Sequence, residues 1–267
     1  MKIALLDSGI GLLAAAAELR RLRPDADLVL SSDPDGIPWG PRTPGDVTER
    51  ALACARAAAA YRPDVLIVAC NTASVHGLEE IRAELEPAIP VVGTVPAIKP
   101  AAAAGGPVAV WATPATTGSP YQNRLIGEFA AGVTTYQVAC PGLADAVDRG
   151  DAEATRAAIA DAAERTPADT RALVLGCTHY ELVVDGIRAA FTGAGREAPV
   201  FHSSAPAVAA QALRRAASPS DGGSGGGTLV VLRSGRVERL PDAALAYPAG
   251  RALAGAGQAA LVEAERG

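Results

Sequence analysis

Two short stretches, Ala69-Cys70-Asn71-Thr72-Ala73-Ser74 and Gly176-Cys177-Thr178-His179-Tyr180, each set a thiol directly before amide, hydroxyl or imidazole groups. An apolar run precedes each thiol and a helical pattern follows it. The N-terminus of a helix offers free N–H groups and a positive dipole end, which lower a thiol's pKa and also hold a carboxylate. His179 adds a group that hydrogen-bonds a ligand or helps a thiol gain and lose its proton. The other cysteines differ: Cys54 sits inside the helical run ALACARAAAA as a core residue, and Cys140 ends a strand before Pro141-Gly142 with no base or amide cluster after it. No C-x-x-C pair occurs, so neither a disulfide framework nor a metal site is expected. His76 reads as a helix-face residue, and His202 precedes two serines at a strand end.

The chain begins MKIALLDSGIGLLAAAAELR, where Gly9, Gly11 and Ala14 trace the outline of a dinucleotide-binding turn and Asp33 stands where a ribose-binding acid belongs. Asp7-Ser8, however, lies directly before the glycines, where a carboxylate would face an incoming phosphate. An acid beside a hydroxyl suits an ammonium group or a proton relay, and a tight strand-to-helix turn alone explains the glycines. The loop therefore reads as made for a small zwitterion.

Two thiols flanking one carbon invert a stereocentre: one, as thiolate, removes a proton, and the other delivers one from the opposite face. An amino acid's α-carbon is a weak acid. A pyridoxal cofactor would ease its ionisation but needs a Schiff-base lysine, and the chain has only Lys2 and Lys99, neither in a convincing setting. The expectation is chemistry without a cofactor, in a dry cleft where fixed donors hold the carboxylate as charge builds. Asn71, Thr72, Thr116 and Thr178 are residue types suited to that task.

The elements that position these groups are legible as an alternation. Apolar runs at 2–7, 26–33, 64–70, 89–95, 107–113, 134–140, 172–177 and 198–204 predict strands, several apolar at consecutive positions and so buried on both faces. Helical patterns fall at 12–22, 43–61, 73–86, 151–165 and 181–191. That order predicts an α/β fold of right-handed βαβ units, whose ligands collect at the carboxyl ends of the strands. Asp7-Ser8, Cys70-Asn71-Thr72, Thr113–Thr116 and Cys177-Thr178-His179 all fall at such ends. LIVACNTAS and LVLGCTHYE echo one another, suggesting two related lobes, each giving one thiol turn to a shared cleft. Segment 218–227 is Ser/Gly-rich and reads as a flexible loop; after it, TLVVLRSGRVERL predicts a hairpin turning at Ser234-Gly235.

The bulk numbers exclude whole classes. With 267 residues, 49% hydrophobic, 20% charged and a net charge of −5, the composition is that of a globular protein without a basic patch for nucleic acid. No apolar run reaches the roughly 20 residues that span a bilayer. An acid at position 7 interrupts any signal-peptide core, so a cytoplasmic location is expected.

Together LLDSGIG, IPWGPR (37–42), VACNTAS, PVVGTVPAIKPA (90–101), WATPAT and VLGCTHY resemble the glutamate racemases of the cofactor-independent aspartate/glutamate racemase superfamily, over roughly residues 3–215. The resemblance implies two similar lobes, each a mainly parallel sheet flanked by helices, with the active site in the cleft between them. The lobes would be 1–92 plus 207–267, and 93–206. It implies that Cys70 and Cys177 are the catalytic acid/bases, that Asp7 and His179 assist them, and that Asp7-Ser8, Trp39-Gly40, Asn71-Thr72 and Thr178-His179 bind substrate. The implied function is interconversion of L- and D-glutamate to supply D-glutamate for peptidoglycan. The partner is a small amino-acid substrate, with no nucleic acid and no membrane; assembly as a homodimer is left open. Three positions depart from the pattern: Leu12 replaces a second glycine, Trp39 replaces a tyrosine, and Asp148 stands where many members have Glu. These departures, and the unusual C-terminal hairpin, bear on substrate more than on reaction type. The alternatives are a racemase of aspartate or another small α-substituted acid, a decarboxylase, a cysteine amidohydrolase, or a carboxylate-binding protein without catalysis. The decarboxylase relatives keep only the second thiol, so the presence of both favours racemisation.

Overall fold

A computed structural model of the chain describes residues 1–216 and 226–255. Among these the strands are β1 (Lys2–Asp7), β2 (Asp27–Ser32), β3 (Val65–Val68), β4 (Val91–Gly93), β5 (Val108–Ala112), β6 (Thr135–Ala139), β7 (Ala172–Leu175), β8 (Val200–His202), β9 (Leu229–Arg233) and β10 (Arg236–Glu238). They divide between two compact units, one holding residues 1–94 with the chain from 205 onward, the other residues 95–204. Eight strands coincide with the eight apolar runs, and the last two form the expected hairpin.

In the first unit the strand order is β10-β9-β2-β1-β3-β4, parallel throughout except for β10 against β9. Helices cover the sheet, so Ile3 to Leu6 and Val65 to Val68 are fully buried, and consecutive apolar residues are what such strands require. The C-terminal stretch returns to this unit because β9 pairs in parallel with β2, Leu28 opposite Leu229. Arg20 fastens that return by donating to the carbonyls of Pro24, Ala26 and Thr228. Ser234 and Gly235 both take positive φ (47° and 76°), the conformation of a tight hairpin turn whose twist matches the flanking strands.

In the second unit the order is β6-β5-β7-β8, all parallel. Trp111 of β5 is fully buried, its ring centroid 6.1 Å from that of Phe191, and its indole N–H donates to Thr166 Oγ1 at 2.8 Å. In each unit the chain leaves one strand to one side and returns on its other side. Those switch points, between β1 and β3 and between β5 and β7, are where a parallel sheet opens a crevice at its carboxyl edge.

Helix starts follow local chemistry. Thr43 Oγ1 accepts from Asp46 N ahead of Pro44, Ser119 Oγ accepts from Gln122 N ahead of Pro120, and Asp151 Oδ1 accepts from Ala154 N. The single helix expected over 73–86 is two, Asn71–His76 and Leu78–Leu85, broken at Gly77 (φ −127°, ψ 0°). The Thr48 hydroxyl takes the His76 carbonyl at 2.7 Å, and a Cβ at position 77 would stand 3.4 Å from the Thr48 Cα. The helix Pro44–Ala59 packs against this break. The pattern over 181–191 begins as a 3-10 turn, Thr178–Val183, before the helix Val184–Gly193. Of the Ser/Gly-rich segment 218–227, residues 218–225 lie outside the described residues. Among the described residues no helix is long and apolar enough to cross a membrane.

Candidate active site

The carboxyl ends of β1 and β3 are neighbours, with Leu6 opposite Val68. Asp7-Ser8 follows the first and Ala69-Cys70-Asn71 the second. Asp7 is fully buried, and its Oδ1 accepts the Ser8 N–H at 2.6 Å and the Ser8 hydroxyl at 3.2 Å. Ala69 N donates to Leu6 O at 2.8 Å, which holds the thiol turn against β1. Cys70 is buried and occupies the N-cap of the helix Asn71–His76 with φ −142° and ψ 124°. Two hydroxyls lock this turn: Thr94 Oγ1 donates to Val68 O at 2.8 Å, and Ser74 Oγ donates to the same carbonyl at 3.2 Å while accepting from Thr94 N at 2.9 Å. Asn71 is buried and Thr72 and Gly40 are partly exposed. Trp39 is buried in the same apolar cluster as Leu6, Val68 and Cys70, its indole N–H bonded to Asp33 at 3.0 Å. Asp33, the ribose-binding candidate of the dinucleotide reading, also accepts from Arg50 and from Ser234.

The second switch point repeats the plan. Trp111 of β5 lies opposite Leu175 of β7, and Gly176 N donates to Trp111 O at 2.7 Å, the counterpart of the Ala69–Leu6 bond. A Cβ at position 176 would stand 2.6 Å from that oxygen, so only glycine fits. Cys177 caps the 3-10 turn with φ −139° and ψ 135°, nearly the backbone of Cys70. It is partly exposed, while Thr178 and His179 are buried. The Cys177 sulfur lies 3.8 Å from His179 Nδ1, and His179 Nε2 lies 3.1 Å from Asp148 Oδ1. Because a carboxylate only accepts, this bond puts a proton on Nε2 and leaves Nδ1 facing the thiol, ready to take or return its proton. The turn after β5 is closed by Thr116 N donating to Thr113 O at 3.0 Å, with the two threonine hydroxyls 3.2 Å apart.

Cys54 and Cys140 are packed in apolar surroundings that push both thiols up to about 12, leaving them un-ionised near neutrality. Lys2 Nζ donates to Tyr61 O, and Lys99 stands over the Phe129 ring, 5.9 Å from its centroid. Among the described residues no group of three His, Cys, Asp or Glu side chains is arranged to hold a metal ion.

Residues 11–212 match the Asp/Glu/Hydantoin racemase family. The chain belongs to that family. Glutamate racemase from Roseiflexus sp. (strain RS-1) is 40% identical over 214 residues, covering 78% of this chain and 76% of that protein. Among solved structures, the Escherichia coli glutamate racemase, in complex with L-glutamate and the activator UDP-MurNAc-ala, superposes with a TM-score of 0.76 at 26% identity over 92% of this chain and 91% of that one. The glutamate racemase from Aquifex pyrophilus gives 0.70 at 27% identity over 95% of both chains.

Three positioning features were not foreseen. Asp148 ends the helix Leu143–Asp148, 31 residues before His179, and only its departure from Glu drew notice. Gly176 has a local signal, as a small residue between strand and thiol. The Ser74–Thr94 lock joins residues 20 apart and has none.

Proposed function

We propose that this chain is an amino-acid racemase interconverting L- and D-glutamate, with Cys70 and Cys177 as the two acid/bases on opposite faces of Cα. The observation that carries this reading is the repetition of one device. Each unit brings a cysteine, in nearly the same backbone conformation, to the switch point of its parallel sheet, beside Asp7 in one and His179 in the other. In one direction a thiolate removes the α-proton while the opposing thiol delivers its own, and the roles exchange on reversal. Proton and electron pair stay balanced without any added acceptor. Asp148 holds His179 in the tautomer that faces Cys177. On the other side Asp7 is the ionisable neighbour, its carboxylate oriented by Ser8. Asn71, Thr72, Thr116 and Thr178, with Ser8 and the Trp39-Gly40 turn, hold the substrate's charged groups as negative charge grows on its carboxylate. The product serves peptidoglycan synthesis. Chemistry through two reduced thiols suits the reducing cytoplasm.

The test is exchange: in D2O, without added cofactor, glutamate acquires deuterium at Cα, and Cys70→Ala and Cys177→Ala each stop turnover. Recovered glutamate that stays fully protonated ends the proposal. A second reading, a thiol amidohydrolase, draws on the Cys177–His179–Asp148 chain, which resembles a nucleophile with its base and orienting acid. It predicts an acyl-enzyme burst and activity that survives Cys70→Ala.

A further inference from the structure

We infer that Asp33 is a positioning residue for substrate binding, acting through Trp39 by clamping the loop that carries Trp39-Gly40 to the first thiol turn. The inference rests on the racemase reading for the role of that loop. Its geometry stands within one unit.

Asp33 is buried, 7% exposed, and both of its carboxylate oxygens accept hydrogen bonds. Its main-chain N–H donates to Ser8 O at 3.1 Å, tying it to the residue after Asp7. Its Oδ2 accepts the Trp39 indole N–H at 3.0 Å and Arg50 Nη1 at 3.1 Å, and its Oδ1 accepts from Ser234 Oγ at 3.3 Å. Arg50 also donates to Asp46 at 2.9 Å. Asp46 accepts from Arg42, and Arg42 Nε returns to Gly36 O at 2.6 Å. The ring closes where Gly36 N donates to Asp33 O at 3.0 Å. A Cβ at position 36 would collide with both Arg50 Nη1 and Asp33 Oδ2, so the main chain of the loop lies directly on the ion pair.

The clamp has one internal face. Trp39 is 1% exposed and packs in the apolar cluster containing Cys70, Leu6 and Val68. With its only side-chain donor held by Asp33, its ring is fixed in two directions, by packing and by a charge-assisted hydrogen bond. Gly40 follows it directly, so packing and one carboxylate together set the place of the Trp39-Gly40 backbone relative to Cys70 and Asp7-Ser8. A buried carboxylate that joins the Trp39 loop, the helix Pro44–Ala59 and the Ser234 hairpin turn through a single side chain does more than stabilise a surface loop. Loss of such a tie weakens ground state and transition state alike, which appears as a raised KM with little change in kcat.

The test is steady-state racemisation of glutamate by Asp33→Ala, Asp33→Asn and Arg236→Ala. In Asp33→Ala the KM rises about tenfold, the size of one lost charge-assisted bond, while kcat stays within about threefold. In Asp33→Asn the amide oxygen still accepts the indole N–H, and KM returns most of the way. Arg236→Ala, which breaks an exposed pair between the β9–β10 hairpin and Asp35 of the loop after β2, leaves both constants unchanged. An unchanged KM in Asp33→Ala, or a loss in kcat alone that tracks the folded fraction, overturns the inference. Should Asp33→Ala fail to fold, Trp39→Phe removes the N–H and keeps an aromatic ring, and a wild-type KM there overturns it equally. Wild-type protein that exchanges no Cα hydrogen of glutamate refutes the racemase reading itself, before any variant is compared.

Discussion

Replacing Asp148 by Asn tests the proton path to Cys177 with almost no change of shape. His179 Nε2 lies 3.1 Å from the carboxylate, with the imidazole 6% exposed and the Asp148 side chain 20% exposed. A hydrogen bond to a charged partner in such a setting contributes about 1.5–3 kcal/mol. The amide keeps an acceptor oxygen but not the charge, and Asp148 is partly wetted, so the loss is about 1–2 kcal/mol, or roughly 5- to 30-fold in rate. The two enantiomers have equal free energies, which fixes the ratio of kcat/KM in the two directions at unity. The variant must therefore lose the same factor both ways, measured by circular dichroism from either enantiomer. The asymmetry shows instead in the thiols. Iodoacetamide labels Cys177 about tenfold more slowly, by loss of the oriented imidazole, while the Cys70 rate is unchanged. Wild-type kcat/KM in Asp148→Asn, or an equal loss of reactivity at both cysteines, refutes the argument.

Other perturbations read different links of the chain. Cys54→Ala and Cys140→Ala keep racemase turnover within about threefold, since neither thiol ionises near neutrality; a dead Cys140→Ala would move the second acid/base to that position. The same two thiols give a pH signature, because burial raises each from 9.0 to about 12. Stability is fully present below pH 9.0 and falls as the pH rises toward 12, where the unfolded chain has released protons that the folded chain keeps. The slope is about 1.4 kcal/mol per pH unit for each thiol. Urea denaturation at several alkaline pH values should find the Cys54→Ala/Cys140→Ala double variant losing stability less steeply, and parallel curves would contradict the burial argument. Gly176→Ala forces a methyl to within 2.6 Å of Trp111 O. A cost of about 1–3 kcal/mol in thermal stability is expected, with a fall in kcat as Cys177 shifts; an active, equally stable variant would show that this turn is not tightly held.

Much of the architecture was readable because it is local. Consecutive apolar residues in KIALL and VLIV report burial on both faces, and all eight runs became strands. The Ser234-Gly235 turn was legible because its backbone conformation is set by the two residues themselves. Short helices were less so. Pro120–Phe129 was not anticipated although Ser119-Pro120 is a good start signal, and Gly77 divided a run whose periodicity is continuous. Periodicity does not register a single residue whose backbone leaves the helical conformation.

The sequence by itself determined which residues carry chemistry: two thiols before amides and hydroxyls, an acid before a glycine loop, and a histidine two residues past a cysteine. Those signals survive in one dimension because they depend on residue type and on strand and helix ends set within a few positions. Only the tertiary structure decided that burial raises the Cys54 and Cys140 thiols, which carboxylate orients His179, and that Asp33 answers to Trp39, Arg50 and Ser234 together. Desolvation and hydrogen bonding depend on distances between atoms remote in the chain, and strand order, which no local propensity encodes, sets those distances.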